Sequence, residues 1–152
     1  MIYTTAYQSP LAPMIIKADD EALLSLAFGS TEEKDQSPIL DQVKRELDEY
    51  WDGKRTVFSV PLNAVGTPFQ QKVWQALLTI AYGETRSYGQ IAAQIGNPKA
   101  CRAVGMANNR NPISIIIPCH RVIGSDGRLV GYGGGLDKKV WLLDFEATHK
   151  PL

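Results

Sequence analysis

The sequence has few of the residues that cross-link small proteins. It contains two cysteines, Cys101 and Cys119, and two histidines, His120 and His149. Two thiols do not build a disulfide framework, and so few cysteines and histidines exclude the usual zinc cluster. A chain of 152 residues with 44% hydrophobic content can bury a stable core without disulfide bonds or a bound metal. We therefore expect reduced thiols and no bound metal.

Long hydrophobic runs are also missing. No purely aliphatic run is longer than residues 115–117, which is far too short to span a membrane. Residues 1–12 are polar and are interrupted by Pro10, which does not fit a signal peptide. We expect a cytoplasmic protein without a membrane partner.

Neither sign of charge is in excess, because 16 Lys and Arg residues balance 16 Asp and Glu residues. The balance is uneven along the chain. Residues 1–63 hold 6 basic and 11 acidic residues, whereas residues 64–152 hold 10 basic and 5 acidic residues. The basic second half fits a polyanionic partner such as nucleic acid. Chance segregation of solvated charge is the alternative.

The first half of the sequence predicts a small sheet and one helix. Alternating or short apolar stretches predict strands, and apolar side chains at helical spacing predict the helix. The predicted strands are 14–18, 22–28 and 58–60, and the predicted helix is 38–51. Residues 61–66 read as a linker, which divides the chain into domains 1–63 and 64–152.

The second half predicts mainly helices that are separated by turns. Thr67 has the residue type of an N-cap, and we expect the helix it starts to end at Gly83. Ser87, with Gln90 three residues later, has the spacing of a capping box for a second, short helix. Gly96 is expected to end that helix.

A third helix is predicted from residue 97 to about residue 108. Two helices joined by a tight Gly-Asn turn are typical of a helix-turn-helix. The second of them carries Lys99 and Arg102 beside small residues such as Ala103, which would allow close approach to a nucleic-acid groove. A plain helix pair packed in a core is the alternative.

The remaining segments predict a wing and a closing helix. A β-branched run predicts a buried strand, and an Asp-Gly turn between apolar residues predicts a hairpin. The strand is 113–117, the hairpin 122–130, the flexible loop 131–135 and the helix 136–147. In that helix Val140, Leu143 and either Leu136 or Ala147 share the apolar face.

The residues around Cys119 are the candidate reactive site. A reactive thiol needs a nearby base or positive charge to form the thiolate, and His120 and Arg121 provide both. Because neighbours on a strand face opposite ways, His120 would reach the thiol through a turn or a bridging water. An inert buried cysteine is the alternative for Cys119. Cys101 is interpreted as a packing residue on its helix.

Residues 111–124, Asn-Pro-Ile-Ser-Ile-Ile-Ile-Pro-Cys-His-Arg-Val-Ile-Gly, resemble the active-site segment of the O6-alkylguanine-DNA alkyltransferases, also called methylated-DNA–protein-cysteine methyltransferases. Four further segments are similar to that family, namely 87–92, 100–105, 131–136 and 141–146. The resemblance is dense from about residue 66 to residue 146 and weaker over residues 1–63.

The resemblance implies a fold and a function. The fold would be α/β, with a small N-terminal ribonuclease-H-like domain of sheet and helix followed by a winged-helix-like helix-turn-helix domain. The function would be single-turnover DNA repair, in which an alkyl group moves from O6-alkylguanine in double-stranded DNA to Cys119 as a thioether. It implies a monomer that binds the minor groove without a cofactor. Whether O4-alkylthymine is a substrate stays open.

The resemblance also implies catalytic roles. Cys119 would be the acceptor, His120 would take its proton through a water, and Glu146 would orient the histidine. Tyr88 would donate a proton to the guanine, and Asn111 would brace the active-site turn. From the residues alone, Glu146 also fits a solvated helix end, Tyr88 an exposed aromatic and Asn111 a simple turn.

Two more sets of residues follow from the resemblance. The DNA-binding set is Arg102, Lys99, Ala103 and Arg121, with Arg102 filling the base stack after the target base leaves; a phosphate-facing Arg102 is the alternative. The substrate-pocket set is Tyr132, Gly133, Gly134 and Val122. The rival functions are an alkyltransferase-like binder without an acceptor cysteine, which Cys119 argues against, and an unrelated winged-helix regulator.

Overall fold

The computed structural model describes residues 1–132 and 134–151. It divides the chain into two compact units, Met1–Val65 and Gly66–Leu152. No helix among the described residues is long and apolar enough to cross a membrane. The same part of the chain brings together no group of three or more His, Cys, Asp or Glu side chains that would hold a metal.

A three-stranded antiparallel sheet is the frame of the first unit. Its strands, in the order β1-β2-β3, are β1 Tyr3–Gln8, β2 Pro13–Ala18 and β3 Leu23–Phe28. Strands β2 and β3 are confirmed, as is the turn between them, in which the Asp19 carboxylate accepts the backbone N–H groups of Glu21 and Ala22 at 2.8 Å each. Strand β1 was not predicted, because its inward positions include the polar residue Thr5.

Helix α1, Pro38–Trp51, covers one face of this sheet and is confirmed to the residue. Ser37 caps it by accepting the Leu40 N–H at 3.2 Å. The predicted strand at 58–60 is wrong. The N–H groups of Ser59 and Val60 donate to the buried carboxylate of Glu46 on α1, at 2.7 and 3.2 Å, and not to a neighbouring strand.

The second unit is mainly helical. Its helices are α2 Pro68–Leu77, α3 Tyr88–Gln94, α4 Cys101–Asn109 and α5 Leu136–Thr148. Two short strands, β4 Arg86–Ser87 and β5 Val122–Ile123, pair in parallel. Both predicted N-caps are confirmed, since Thr67 with Gln70 and Ser87 with Gln90 form complete capping boxes.

Helices α3 and α4 form the predicted helix pair, with Gly96 in the left-handed region at a φ of 81°. The helix bounds differ from the prediction at two places. Helix α2 ends at Leu77 and not at Gly83, because the next N–H groups bond three residues back in tighter turns. Helix α4 begins at Cys101 and not at residue 97, because residues 97–100 first form a turn.

The four isoleucines of residues 113–117 are buried as predicted, but the predicted strand is wrong. The segment is folded into turns, and Ile115 has a φ of 72°. The predicted hairpin at 122–130 is wrong as well. Its first strand pairs with β4, while Gly124 donates to Arg128 O at 2.8 Å and closes a turn without a second strand.

Helix α5 lies where the prediction placed it, but it buries a different face. Val140 is 41% exposed, whereas Lys139, Leu142 and Glu146 are buried. The apolar-face prediction is therefore wrong, because two of the three inward positions carry charged residues. Both of those residues contact the segment that contains Cys119, which is why the helix turns them inward.

Candidate active site

Cys119 lies at the start of a 3₁₀ turn, Cys119–Arg121, and its side chain is buried. Its carbonyl accepts Nδ2 of Asn108 at 3.3 Å, which ties the turn to the end of α4. Burial raises the pKa of the Cys119 thiol, and the Asn111 amide and the Lys139 ammonium oppose that rise. The free protein therefore holds a neutral thiol with anion-stabilising groups already in place.

Asn111 braces the turns that lead to Cys119. Its Nδ2 donates to Ile117 O at 2.8 Å and to Ile113 O at 3.2 Å, and its Oδ1 accepts the Ile113 N–H at 3.0 Å. One side chain thus forms hydrogen bonds with three backbone groups of this turn segment. Ile115, whose backbone is in the left-handed region, lies between Ile113 and Ile117, the two residues to which Asn111 bonds.

Glu146 is shared by two side chains from the turn at Cys119. His120 Nε2 lies 2.8 Å from Glu146 Oε2, and Arg121 donates Nε to Oε1 at 2.7 Å and Nη2 to Oε2 at 2.9 Å. Burial would raise the pKa of Glu146, but His120 and Arg121 together hold it well below its usual range. Glu146 is therefore ionised, and Arg121 balances its charge.

His120 is fully buried. Burial lowers its pKa, and Glu146 only partly offsets this. A neutral imidazole that donates Nε2–H to a carboxylate has its lone pair on Nδ1. That Nδ1 is buried and has no hydrogen-bond partner among the described residues. The arrangement leaves a basic nitrogen available one residue from the thiol.

Tyr88 and Lys139 complete the polar surroundings of Cys119. The Tyr88 hydroxyl donates to Val130 O at 2.9 Å, and burial together with nearby Cys119 raises its pKa. Lys139 Nζ donates to the same carbonyl at 3.0 Å. Lys139 was not among the predicted site residues. Its spacing of seven residues before Glu146, which puts both on one helix face, was the available signal.

A cavity of about 580 Å³ opens beside α4. Its described lining residues are Tyr88, Gly89, Cys101, Arg102, Gly105, Asn109, Gly124, Ser125, Asp126, Arg128, Val130 and Gly131. Cys101 is exposed in this lining, so its interpretation as a packing residue is wrong. Tyr88 links the cavity to the group around Cys119, because it lines the cavity and lies close enough to Cys119 for a thiolate there to raise the Tyr88 pKa.

Comparison with known proteins matches both halves of the chain to one family. The DNA binding domain of 6-O-methylguanine DNA methyltransferase matches residues 68–148, and the ribonuclease-like domain of the same family matches residues 2–64. The chain belongs to the 6-O-methylguanine DNA methyltransferase family. The resemblance and the two-domain α/β fold that it implied are thereby confirmed.

Relatives in this family are similar over nearly their whole lengths. The methylated-DNA–protein-cysteine methyltransferase of Mycobacterium leprae is 49% identical over 96% of this chain and 93% of its own. The protein of that name from Methanosarcina acetivorans is 46% identical over 97% and 99%. A crystal structure of Mycobacterium tuberculosis OGT in complex with DNA has a TM-score of 0.90 and 46% identity, covering 98% of this chain and 95% of that one.

In this 6-O-methylguanine DNA methyltransferase fold, the predicted DNA-binding residues separate into two groups. Lys99, Arg102 and Ala103 are exposed at the start of α4 or just before it. Arg121 is not available to DNA, and its assignment is corrected. It is 6% exposed, and beyond its two bonds to Glu146 it donates Nη1 to Ile80 O at 2.7 Å, so its role is structural.

The predicted pocket residues also divide. Burial raises the pKa of Tyr132, and nearby Cys119 raises it further. The described residues of the cavity lining do not include Val122, Tyr132 or Gly134. The Val122 side chain is also fully buried, so its assignment is corrected. Gly134 is half-buried in a turn, and Gly133 lies outside the described residues.

Proposed function

We propose that this protein repairs DNA by transferring an alkyl group from O6 of a guanine to Cys119. The observation that carries the proposal is the 2.8 Å hydrogen bond between buried His120 Nε2 and Glu146, which leaves Nδ1 without a partner among the described residues, one residue from the thiol in the chain. Such a group is the base that an activated thiol requires. The names of the relatives and the DNA-bound neighbour support the same chemistry.

The transfer step forms one bond and breaks one. The Cys119 proton passes to His120 Nδ1 through a bridging water, and the sulfur attacks the alkyl carbon. The carbon–O6 bond breaks, and its electron pair stays on the guanine. The product is a thioether, which has no easy leaving group, so each protein molecule reacts once.

Tyr88 is the acid in this scheme. The guanine gains negative charge as the alkyl group departs, and a phenol is a suitable donor to it. Tyr88 lines the cavity and is half-buried, and burial together with Cys119 raises its pKa, which keeps the phenol protonated. The proton that His120 accepted returns to the tyrosinate after the base leaves, which restores both groups.

DNA binding uses the exposed start of α4. A base must leave the duplex to meet a buried sulfur, and Arg102 then fills the gap in the stack. Small neighbours such as Ala103 and Gly105 allow close approach, which suits the narrow minor groove. The protein acts as a monomer on double-stranded DNA that contains O6-alkylguanine.

A mass measurement tests the proposal. Incubation with a duplex containing O6-methylguanine should add one methyl group to the peptide that carries Cys119, and Cys119→Ala should bind the duplex without any transfer. Cys101→Ala is the matched control and should be methylated like the unaltered protein. Tight binding with no mass change would instead identify a lesion binder, and transfer by Cys119→Ala would refute the assignment.

A further inference from the structure

Lys139 is a buried cation that the proposed transfer step does not use. Its side chain is fully buried on the inward face of α5. Its Nζ donates to the carbonyls of Val122 at 2.6 Å, Val130 at 3.0 Å and Gly131 at 3.3 Å. Burying an ammonium is costly, and in the described part of the chain these partners are neutral carbonyls and not a carboxylate.

The three carbonyls belong to the segments that surround Cys119. Val122 follows the 3₁₀ turn of Cys119 directly, while Val130 and Gly131 line the cavity. The Val130 carbonyl also accepts the Tyr88 hydroxyl at 2.9 Å, and Lys139 Nζ lies 5.9 Å from the centre of the Tyr88 ring. One ammonium therefore ties together the acceptor turn, the cavity wall and the tyrosine.

Lys139 also acts on the sulfur through its charge. The titratable groups that face Cys119 are Tyr88 from α3, Tyr132 from the loop and Lys139 from α5. Behind the turn, His120 and Arg121 bond to Glu146. The tyrosines disfavour a thiolate when ionised, whereas Lys139 favours it. Burial lowers the pKa of Lys139, and Cys119 opposes that shift by favouring the charged ammonium.

We propose that Lys139 is a positioning residue of the transfer reaction, an inference that rests on the proposed function. It holds the Val130 and Gly131 carbonyls beside Tyr88, and it places a fixed positive charge where the Cys119 thiolate forms. Arg121 cannot fill this role, because Glu146 already balances its charge. The relay through His120 removes the proton, and Lys139 stabilises the anion that is left.

The test compares Lys139→Met with Lys139→Arg and with Lys138→Met. The last variant is the matched control, since it removes the same charge from the adjacent, half-buried position of the same helix. Two quantities are followed against pH: the rate of Cys119 alkylation by free O6-benzylguanine, and the thiolate absorbance, taken as the difference from a Cys119→Ser protein. The second readout does not depend on any transfer activity.

Lys139→Met should raise the midpoint of the thiolate titration by about one pH unit, and it should lower the alkylation rate near neutral pH about tenfold. Lys139→Arg should keep the midpoint, because it keeps the charge, while reacting more slowly, because a guanidinium does not reproduce the geometry of the ammonium. Lys138→Met should match the unaltered protein in both readouts.

A merely structural lysine would give a different result. In that case Lys139→Met would lose the same fraction of its rate at every pH and leave the midpoint in place, which would overturn the inference. If Lys139→Met does not fold, Lys139→Arg tests the inference instead. A raised midpoint in that variant, which keeps the charge, would also overturn the inference. Absence of transfer by the unaltered protein would count against the proposed function itself. The thiolate titration distinguishes the two failures, because it does not depend on transfer.

Discussion

Glu146 is the residue on which the charge balance of the site depends. It is buried and ionised, and it accepts from both His120 and Arg121. Without its charge, the Arg121 guanidinium would be left buried beside neutral groups. Removing one partner of a buried ion pair costs much more than the pair itself contributes, because the remaining charge stays desolvated.

Glu146→Gln should therefore lower the free energy of unfolding by about 3 kcal/mol and strongly reduce alkyl transfer. Urea unfolding and the alkylation rate are the measurements. Glu49→Gln is the matched control, because Glu49 bonds to Arg55 at 2.8 Å with a side chain that is 40% exposed. That pair should contribute about 0–1 kcal/mol. Similar losses in the two variants would contradict the assigned charge balance.

The lowered pKa of His120 predicts how stability depends on pH. Its ordinary value is 6.5, and burial holds it lower in the folded protein. Below that ordinary value the unfolded chain takes up a proton that the folded protein does not, so stability falls as the pH decreases. Urea unfolding at about pH 7.5 and 5.5 should show this, with a slope of at most about 1.4 kcal/mol per pH unit from one group.

Two variants assign that slope to His120. His120→Gln should flatten it between these two pH values, since the group that titrates only in the unfolded chain is gone. His149→Gln is the control, because His149 is exposed, and it should leave the slope unchanged. An unaltered slope in the His120 variant would show that another group is responsible.

At the scale of elements, the turns before Cys119 depend on the hydrogen bonds that the Asn111 side chain forms with Ile113 and Ile117. Asn111→Ala would leave the Ile113 N–H without its side-chain acceptor. It would also remove one of the donors to the buried carbonyls of Ile113 and Ile117, which keep only the backbone N–H groups of Ile117 and Cys119. We expect a loss of about 1–3 kcal/mol in unfolding free energy and a slower alkylation of Cys119. Asn97→Ala, at an exposed turn, is the control and should change both little. A fully active Asn111→Ala protein would argue against the bracing role.

Elements with local signals could be predicted from the sequence. Helix α1 and the two capping boxes depend on apolar spacing and cap residues that lie within a few positions of one another. The segment 113–117 could not be predicted in this way. A buried β-branched run is compatible with a strand and also with turns held by a side chain. The hydrogen bonds of Asn111, which hold the turns in this segment, cannot be predicted from that run.

The candidate site was predictable to the extent that its residues are close in sequence or match a family motif. The pairing of His120 with Glu146 is present as expected. The role of Arg121 was not predictable, because a basic side chain next to a reactive cysteine suits DNA or an internal partner equally. For Lys139 the spacing to Glu146 indicated a shared helix face but not which groups the ammonium would contact. Their partners, Glu146 and the carbonyls of the cavity wall, come from distant parts of the chain.

At the scale of the whole molecule, a net charge of zero coexists with a basic second half. Lys99 is exposed just before α4, where phosphate contacts would release counterions. Binding of duplex DNA should weaken as salt rises, and Lys99→Ala should reduce the slope of log affinity against log salt by about one. Lys54→Ala, exposed in the acidic half, is the control. Equal slopes for both variants would contradict a contact at Lys99.

Arg102 should affect duplex repair more than reaction with a free base. Arg102→Ala is expected to slow transfer from O6-methylguanine in a duplex, because nothing fills the gap in the stack. Its reaction with free O6-benzylguanine, which needs no base flipping, should stay close to that of the unaltered protein. Equal losses on the two substrates would favour a role in the cavity over one in the stack.

The carbonyl of Val130 has two donors, the Tyr88 hydroxyl at 2.9 Å and the Lys139 ammonium at 3.0 Å. When the phenol turns toward an incoming purine, it leaves an oxygen that is still hydrogen-bonded. The tyrosine can thus change its hydrogen-bond partner without leaving an unsatisfied acceptor, because the bond from Lys139 still holds the Val130 carbonyl in the cavity wall.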